Sequence, residues 1–87
     1  MREQVPIRVR VLYFGQASDA AGKRDEEFFL PSASSVKTLV ARSLKEHKEL
    51  QSMSGSVRIA VNEELAKEGD RLADGDVVAF LPPVAGG

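Results

Sequence analysis

The sequence predicts an α+β domain in which a mixed sheet carries one main amphipathic helix on one face. Three observations predict it. Ile7-Arg8-Val9-Arg10-Val11-Leu12-Tyr13-Phe14 opens in strict apolar/polar alternation, which is the strand period. Val36, Leu39, Val40 and Leu44 recur at i, i+3, i+4 and i+8, the stripe of a helix buried along one side. The 87 residues leave room for a single core.

The elements follow in order. In the first strand, residues 7–14, Ile7, Val9, Val11 and Tyr13 fall on one face, with Arg8, Arg10, Leu12 and Phe14 on the other. That second face turns apolar towards its end. Gly15 and Gly22 bracket residues 16–21, a stretch long enough for a short helix capped by Gly22. A second strand is expected at Asp25–Leu30, where Pro31 stops it. Ser34 and Ser35 are N-cap candidates for the amphipathic helix, whose other side carries Lys37, Arg42, Lys45 and Glu46. Lys45-Glu46-His47-Lys48-Glu49 reads as the solvated end of that helix, with no special role for His47. After a polar loop at residues 51–56, residues 57–61 alternate as a strand and Asn62-Glu63-Glu64 turns the chain. Leu65-Ala66 is a short strand, and Ala73-Asp74-Gly75-Asp76 is the strongest turn signal. The last strand, Val77–Leu81, ends at Pro82-Pro83. Its apolar content and that of the first strand suit buried strands. One helix layer leaves little material for a concave pocket, so a free-standing active site is not expected.

Composition removes most chemistries. Twelve Lys+Arg against thirteen Asp+Glu give a formal charge of −1, without the basic excess of a nucleic-acid binder. With no cysteine, the chain has no disulfide, zinc–thiolate site, iron–sulfur cluster or thiol nucleophile. The single histidine builds no metal cluster, so neither a metal nor a cofactor of the chain's own is expected. Met1-Arg2-Glu3-Gln4-Val5-Pro6 shows no apolar h-region, and no apolar run approaches the ~20 residues of a membrane span. A cytoplasmic protein without membrane attachment is the expectation.

Some large apolar side chains have no place on the helix face. If Val78 and Phe80 point to the core, then Val77, Ala79 and Leu81 point away. Phe14 lies opposite Val9, Val11 and Tyr13, and Leu65 sits in a polar context between Glu64 and Lys67. Phe14, Leu65 and Leu81 together would make an exposed patch of the kind that binds a partner. The alternatives are a bulge that shifts the register, or cover from the segment between Gly15 and Gly22.

The tail is the sharper signal. No charged side chain follows Asp76, and Val77–Leu81 runs into Pro82-Pro83-Val84-Ala85-Gly86-Gly87. At this glycine content a Gly-Gly end arises by chance in about 0.6% of sequences, which makes it worth explaining. Pro82 and Pro83 fix φ near −65° and donate no ladder bond, so they end the strand and stiffen its exit. Residues 82–87 reach at most ~20 Å beyond the sheet. Gly86 and Gly87 lack side chains, so their backbone would thread a channel one peptide wide and deliver the α-carboxylate of Gly87. That group, with a reference pKa of ~3.3–3.7, is a poor acyl electrophile until activated. An acyl-adenylate supplies the leaving group.

These features resemble the ubiquitin-like β-grasp sulfur carriers, and most closely the small subunits of molybdopterin synthase. The resemblance runs from Val9 to Gly87 and rests on Val11-Leu12-Tyr13-Phe14-Gly15 and on Gly22 eight residues after Phe14. It includes Ala60-Val61-Asn62 and the ordered run of Asp74-Gly75-Asp76 turn, strand and Pro-Pro-Val-Ala-Gly-Gly. It implies a β-grasp domain over residues 1–81, with the first and last strands adjacent and parallel at the sheet centre, and an extended tail over residues 82–87. It further implies that an E1-like enzyme adenylates Gly87 with ATP and magnesium, and that a sulfur donor converts the adenylate to a thiocarboxylate. The carrier then docks on the large synthase subunit in a heterotetramer and gives its sulfur to a cyclic pyranopterin precursor. On this resemblance Gly87 is the reacting residue, and Phe14, Leu65, Leu81, Pro82, Pro83, Val84, Ala85 and Gly86 face the partner. The chain alone is then not a catalyst, because the active site belongs to the large subunit. Two departures bear on partner contact: Ser18-Asp19 stand where the family often has Arg-Glu, and Leu81 stands where it often has Phe. The rival readings are a carrier for another product, such as the thiamine thiazole, a protein modifier joined to target lysines through Gly87, and a plain adaptor.

Overall fold

The computed structural model describes residues 5–82. Five strands form one mixed sheet: β1 (Ile7–Tyr13), β2 (Asp25–Leu30), β3 (Arg58–Val61), β4 (Glu64–Leu65) and β5 (Val77–Leu81). Two helices, α1 (Gly15–Ala21) and α2 (Val36–Glu46), and a 3-10 helix at Lys48–Met53 complete the described elements. The strand order is β2-β1-β5-β3-β4. As the resemblance implies, β1 and β5 are neighbours and parallel, with β5 at the centre. Among the described residues, no helix is long and apolar enough to cross a membrane.

Polar turns set the register of the central strands. Asp74 accepts from the Arg8 amide at 2.8 Å, and the Gly75 amide donates to the Arg8 carbonyl at 2.8 Å. The Arg10 amide then donates to the Asp76 carbonyl, so the Asp-Gly-Asp turn feeds β5 straight onto β1. Gly75 has φ +89°, a left-handed conformation that costs a glycine little. On the other side, Asn62 and Glu63, both with positive φ, form the two-residue connection from β3 to β4. The Asn62 side chain accepts from the Val77 amide and donates to Asp76, each at 3.0 Å, tying that hairpin to the start of β5.

The core lies between the sheet and the helices. Val9, Val11, Val78 and Phe80 are almost fully buried, with Ile7, Tyr13, Phe28 and Leu30 beside them. Ala17 and Ala21 bring α1 onto this same side, so α1 does not cover the opposite face. Ser35 caps α2 by accepting from the Thr38 amide at 3.3 Å, and Gly22 ends α1 in the left-handed region.

The structure corrects four expectations. The deepest line of α2 is Val36, Leu39 and Ser43, whereas Val40 and Leu44 are half-buried. The hydroxyl of Ser43 meets that of Tyr13 at 2.5 Å, which satisfies a polar group at a position the apolar stripe left vacant. The second correction concerns residues 45–49: α2 ends at Glu46, and His47 turns its ring inward, 2.6 Å from Glu26. It reaches there because the chain breaks direction at His47 (φ −128°) and lays the imidazole edge-on against Tyr13. Third, the 3-10 helix replaces part of the polar loop and inserts Leu50, only 1% exposed, beneath α2. Fourth, the layer is not too thin for concavity. A groove of about 510 Å³ opens between α2 and β3, lined by Val40, Leu44, Val57 and Ile59.

Candidate partner-docking face

Among the described residues, one face of the sheet carries no helix. By strand pairing, Leu12, Ala79, Ala60 and Leu65 form one row across it, from β1 through β5 and β3 to β4. Arg8 and Arg10 share the face with Asp25, Glu27 and Phe29 towards β2. The β1 registers run without a skipped residue, so the exposed side chains follow from the pleat and not from a bulge.

The half near β2 is charged and internally paired. Arg10 meets Asp25 at 2.7 Å and Arg8 approaches Glu27 at 3.9 Å. The half near β5 is apolar. There a hollow of about 590 Å³ is lined by Leu12, Phe14, Ala60, Val77, Ala79 and Leu81, with Asn62 and Glu63 at its polar border.

Phe14 is placed by its backbone. Its amide donates to the Phe80 carbonyl at 3.3 Å and its carbonyl accepts from Ala17 at 2.9 Å, fixing the corner between β1 and α1. The side chain is left 47% exposed on the helix-free side. Leu81 joins it because β5 alternates: Val78 and Phe80 enter the core while Val77, Ala79 and Leu81 line the hollow. Leu65 is 64% exposed at the far end of the same row and also borders the groove beside α2. Phe14 and Leu81 therefore meet in one hollow, whereas Leu65, on β4, does not line it. Pro82 follows directly from β5. Pro83, Val84, Ala85, Gly86 and Gly87 lie outside the described residues.

Leu12, Val77 and Ala79 were assignable to this face from alternation. Ala60, Asn62 and Glu63 were not, because which strand lies beside β5 is a matter of sheet order.

A part-buried polar cluster sits on the opposite side. Glu26 accepts from Tyr13 and lies against His47 and Lys23. Burial alone would raise its pKa, but the hydrogen bonds from Tyr13 and His47 outweigh it and hold the carboxyl below its ordinary value. Burial, with the Glu26 contact, pushes the Tyr13 phenol well above its usual range. This cluster joins β1, β2 and α2 behind the sheet and does not border the hollow.

A family model for the ThiS family matches residues 11–87. The chain belongs to the ThiS family. Its fold is the ubiquitin-like β-grasp, as the sequence resemblance implied. A molybdopterin synthase sulfur carrier subunit from Mycobacterium tuberculosis is 38% identical to this ThiS-family chain over 82 residues, covering 93% of this chain and 99% of the relative. In the complex of subunits 1 and 2 of molybdopterin-converting factor from Helicobacter pylori, one chain matches with a TM-score of 0.69 and 33% identity, covering 93% of this chain and 100% of that one. Small archaeal modifier protein 1 of Haloferax volcanii superposes with a TM-score of 0.83 at 22% identity, covering 90% and 99%, and shares the fold alone.

Proposed function

We propose that this chain is the sulfur-carrier subunit of a molybdopterin synthase, in which a globular body over residues 1–81 presents a reactive tail over residues 82–87. The observation that carries the reading is the uncovered Phe14–Leu81 hollow at the point where β5 hands the chain to Pro82. A partner that covers this hollow meets the root of the tail at the same time. The likeness to a sulfur carrier at 38% identity supports the same assignment.

The chemistry follows from the terminal carboxylate. On an E1-like enzyme, a carboxylate oxygen of Gly87 attacks the α-phosphorus of ATP, forming the acyl-adenylate and releasing pyrophosphate. Sulfur supplied at the sulfide level attacks the acyl carbon, displaces AMP and leaves a thiocarboxylate on Gly87. Docked on the large subunit, residues 82–87 place that sulfur against the pyranopterin precursor; the sulfur bonds to a precursor carbon, and water cleaves the acyl–sulfur bond, returning Gly87 to a carboxylate. Two such cycles supply the two dithiolene sulfurs. The protein needs no cysteine, because the sulfur travels on the terminal carbonyl. In this reading the assembly is a heterotetramer in the cytoplasm, with catalytic groups on the large subunit.

Deleting Gly87, or appending one residue to it, tests the proposal. Deletion shortens the reach by ~3.3–3.6 Å, far outside near-contact geometry. With activating enzyme, ATP and sulfide, intact mass should show the thiocarboxylate on the unmodified protein, and product should form only with that protein and the large subunit. Normal product from either altered chain would overturn the assignment. Lysine-linked adducts without thiocarboxylate would identify a protein modifier instead.

A further inference from the structure

Three described glycines have left-handed backbone angles: Gly15 at φ +53°, Gly22 at +76° and Gly75 at +89°. They differ in what surrounds them. A β-carbon at Gly22 or Gly75 would meet nothing within 4 Å. A β-carbon at Gly15 would lie 3.1 Å from Cγ of Pro82, inside the ~3.5–4.0 Å of ordinary carbon contact. Sixty-seven positions apart in the chain, the first residue of α1 and the first residue beyond β5 thus share one space.

We propose that Gly15 is a positioning residue: the volume left by its missing side chain seats the Pro82 ring and so sets the direction in which the tail leaves the sheet. This deepens the sulfur-carrier reading and rests on it for its functional consequence. The corner is held from both sides. The Phe14 amide bonds the Phe80 carbonyl, and Tyr13 pairs with Phe80 in the β1–β5 register. A contact of 3.1 Å asks one side to give by a few tenths of an ångström, and with Gly15 held against β5 that shift falls on Pro82. Ring pucker moves Cγ and absorbs part of that shift, whereas the locked φ leaves little freedom about N–Cα for the remainder. That remainder alters the direction in which the backbone leaves Pro82. A general left-handed turn explains a glycine at position 15, but it does not explain why the space above that glycine is occupied by the root of the tail.

Gly15→Ala and Gly22→Ala separate the two effects. Both place a β-carbon in the left-handed region, so both should lower the thermal midpoint. Only Gly15→Ala should move Pro82. In the isolated protein, a wild-type nuclear Overhauser contact between Gly15 Hα and Pro82 Hγ is expected, with a changed Cα–Hα dipolar coupling at Pro82 in Gly15→Ala alone. With the thiocarboxylated carrier and saturating large subunit, Gly15→Ala should slow transfer roughly 10-fold or more, and Gly22→Ala less than about 2-fold. Placing Gly15→Ala in a Pro82→Ala background removes Cγ, and the added effect should fall below about 3-fold. Equal slowing by the two alanines, or no relief from Pro82→Ala, would overturn the proposal. If the wild type transfers no sulfur, the functional reading fails, and the nuclear magnetic resonance measurements decide the role of Gly15: an absent contact or an unchanged coupling sinks it.

Discussion

Strand β5 sends nearly equivalent side chains to two faces of one sheet, and the faces do different work. Val78 and Phe80 are 0% and 1% exposed beneath the helices, whereas Val77, Ala79 and Leu81 stay half-buried around an open hollow. Hydrophobicity does not distinguish the two sets. What separates them is whether the chain itself provides cover. On the helix side, α1, α2 and Leu50 close over the strand. On the other side nothing among the described elements does, and the apolar half adjoins a half whose charges are already paired. An apolar area flanked by satisfied charges suits an orienting interface: the hollow supplies contact and the charged strip limits where contact extends.

The largest effect should come from the covered face. Phe80→Ala removes a buried ring that packs at 5.1 Å from that of Tyr13 and should cost about 3–5 kcal/mol of folding stability in chemical denaturation. A loss below about 1 kcal/mol would mean that the two faces are not as different as the exposures indicate.

The open face should show the reverse. Phe14→Asp or Leu81→Asp should weaken binding to the large synthase subunit by about 2 kcal/mol or more, read by calorimetry. The thermal midpoint should change little. A large loss of stability with unaltered affinity per folded molecule would place these residues in the core.

The polar cluster behind the sheet predicts a pH dependence confined to the covered side. The lowered Glu26 pKa means that its contribution is present above the unfolded value and is lost as pH falls through the lower folded one. The raised Tyr13 pKa works in the other direction, with stability intact below the unfolded value near 10 and lost as pH rises through the folded one. Glu26→Gln should flatten the acid limb of stability against pH, leaving affinity for the large subunit unchanged at neutral pH. An acid limb identical to that of the wild type would remove Glu26 from this account.

The smallest effect belongs to the charged half of the open face. Asp25→Asn breaks the Arg10 ion pair, whose partners are 56% and 46% exposed, and should change stability by less than ~1 kcal/mol. Added salt should erase the difference. A larger, salt-independent loss would show that the strip is structural and not a border.

By itself, the sequence determined the elements whose signals are local. Alternation located β1 and β3, Pro31 and Gly22 ended their elements, Ser35 capped α2, and the Asp-Gly-Asp turn announced β5. It also separated Val78 and Phe80 from Val77, Ala79 and Leu81, because a period of two needs no knowledge of neighbours. Contacts between distant segments were decided only in the tertiary structure. Leu50 became core because a 3-10 helix turned it under α2, and His47 found Glu26 because α2 ended one residue earlier. Ala60, Asn62 and Glu63 joined the hollow because β3 pairs with β5, and Gly15 met Pro82 because β1 and β5 lie side by side in parallel. Such contacts depend on sheet order and on packing between residues far apart in the chain. Periodicity, caps and turns act over a few residues and do not specify that order.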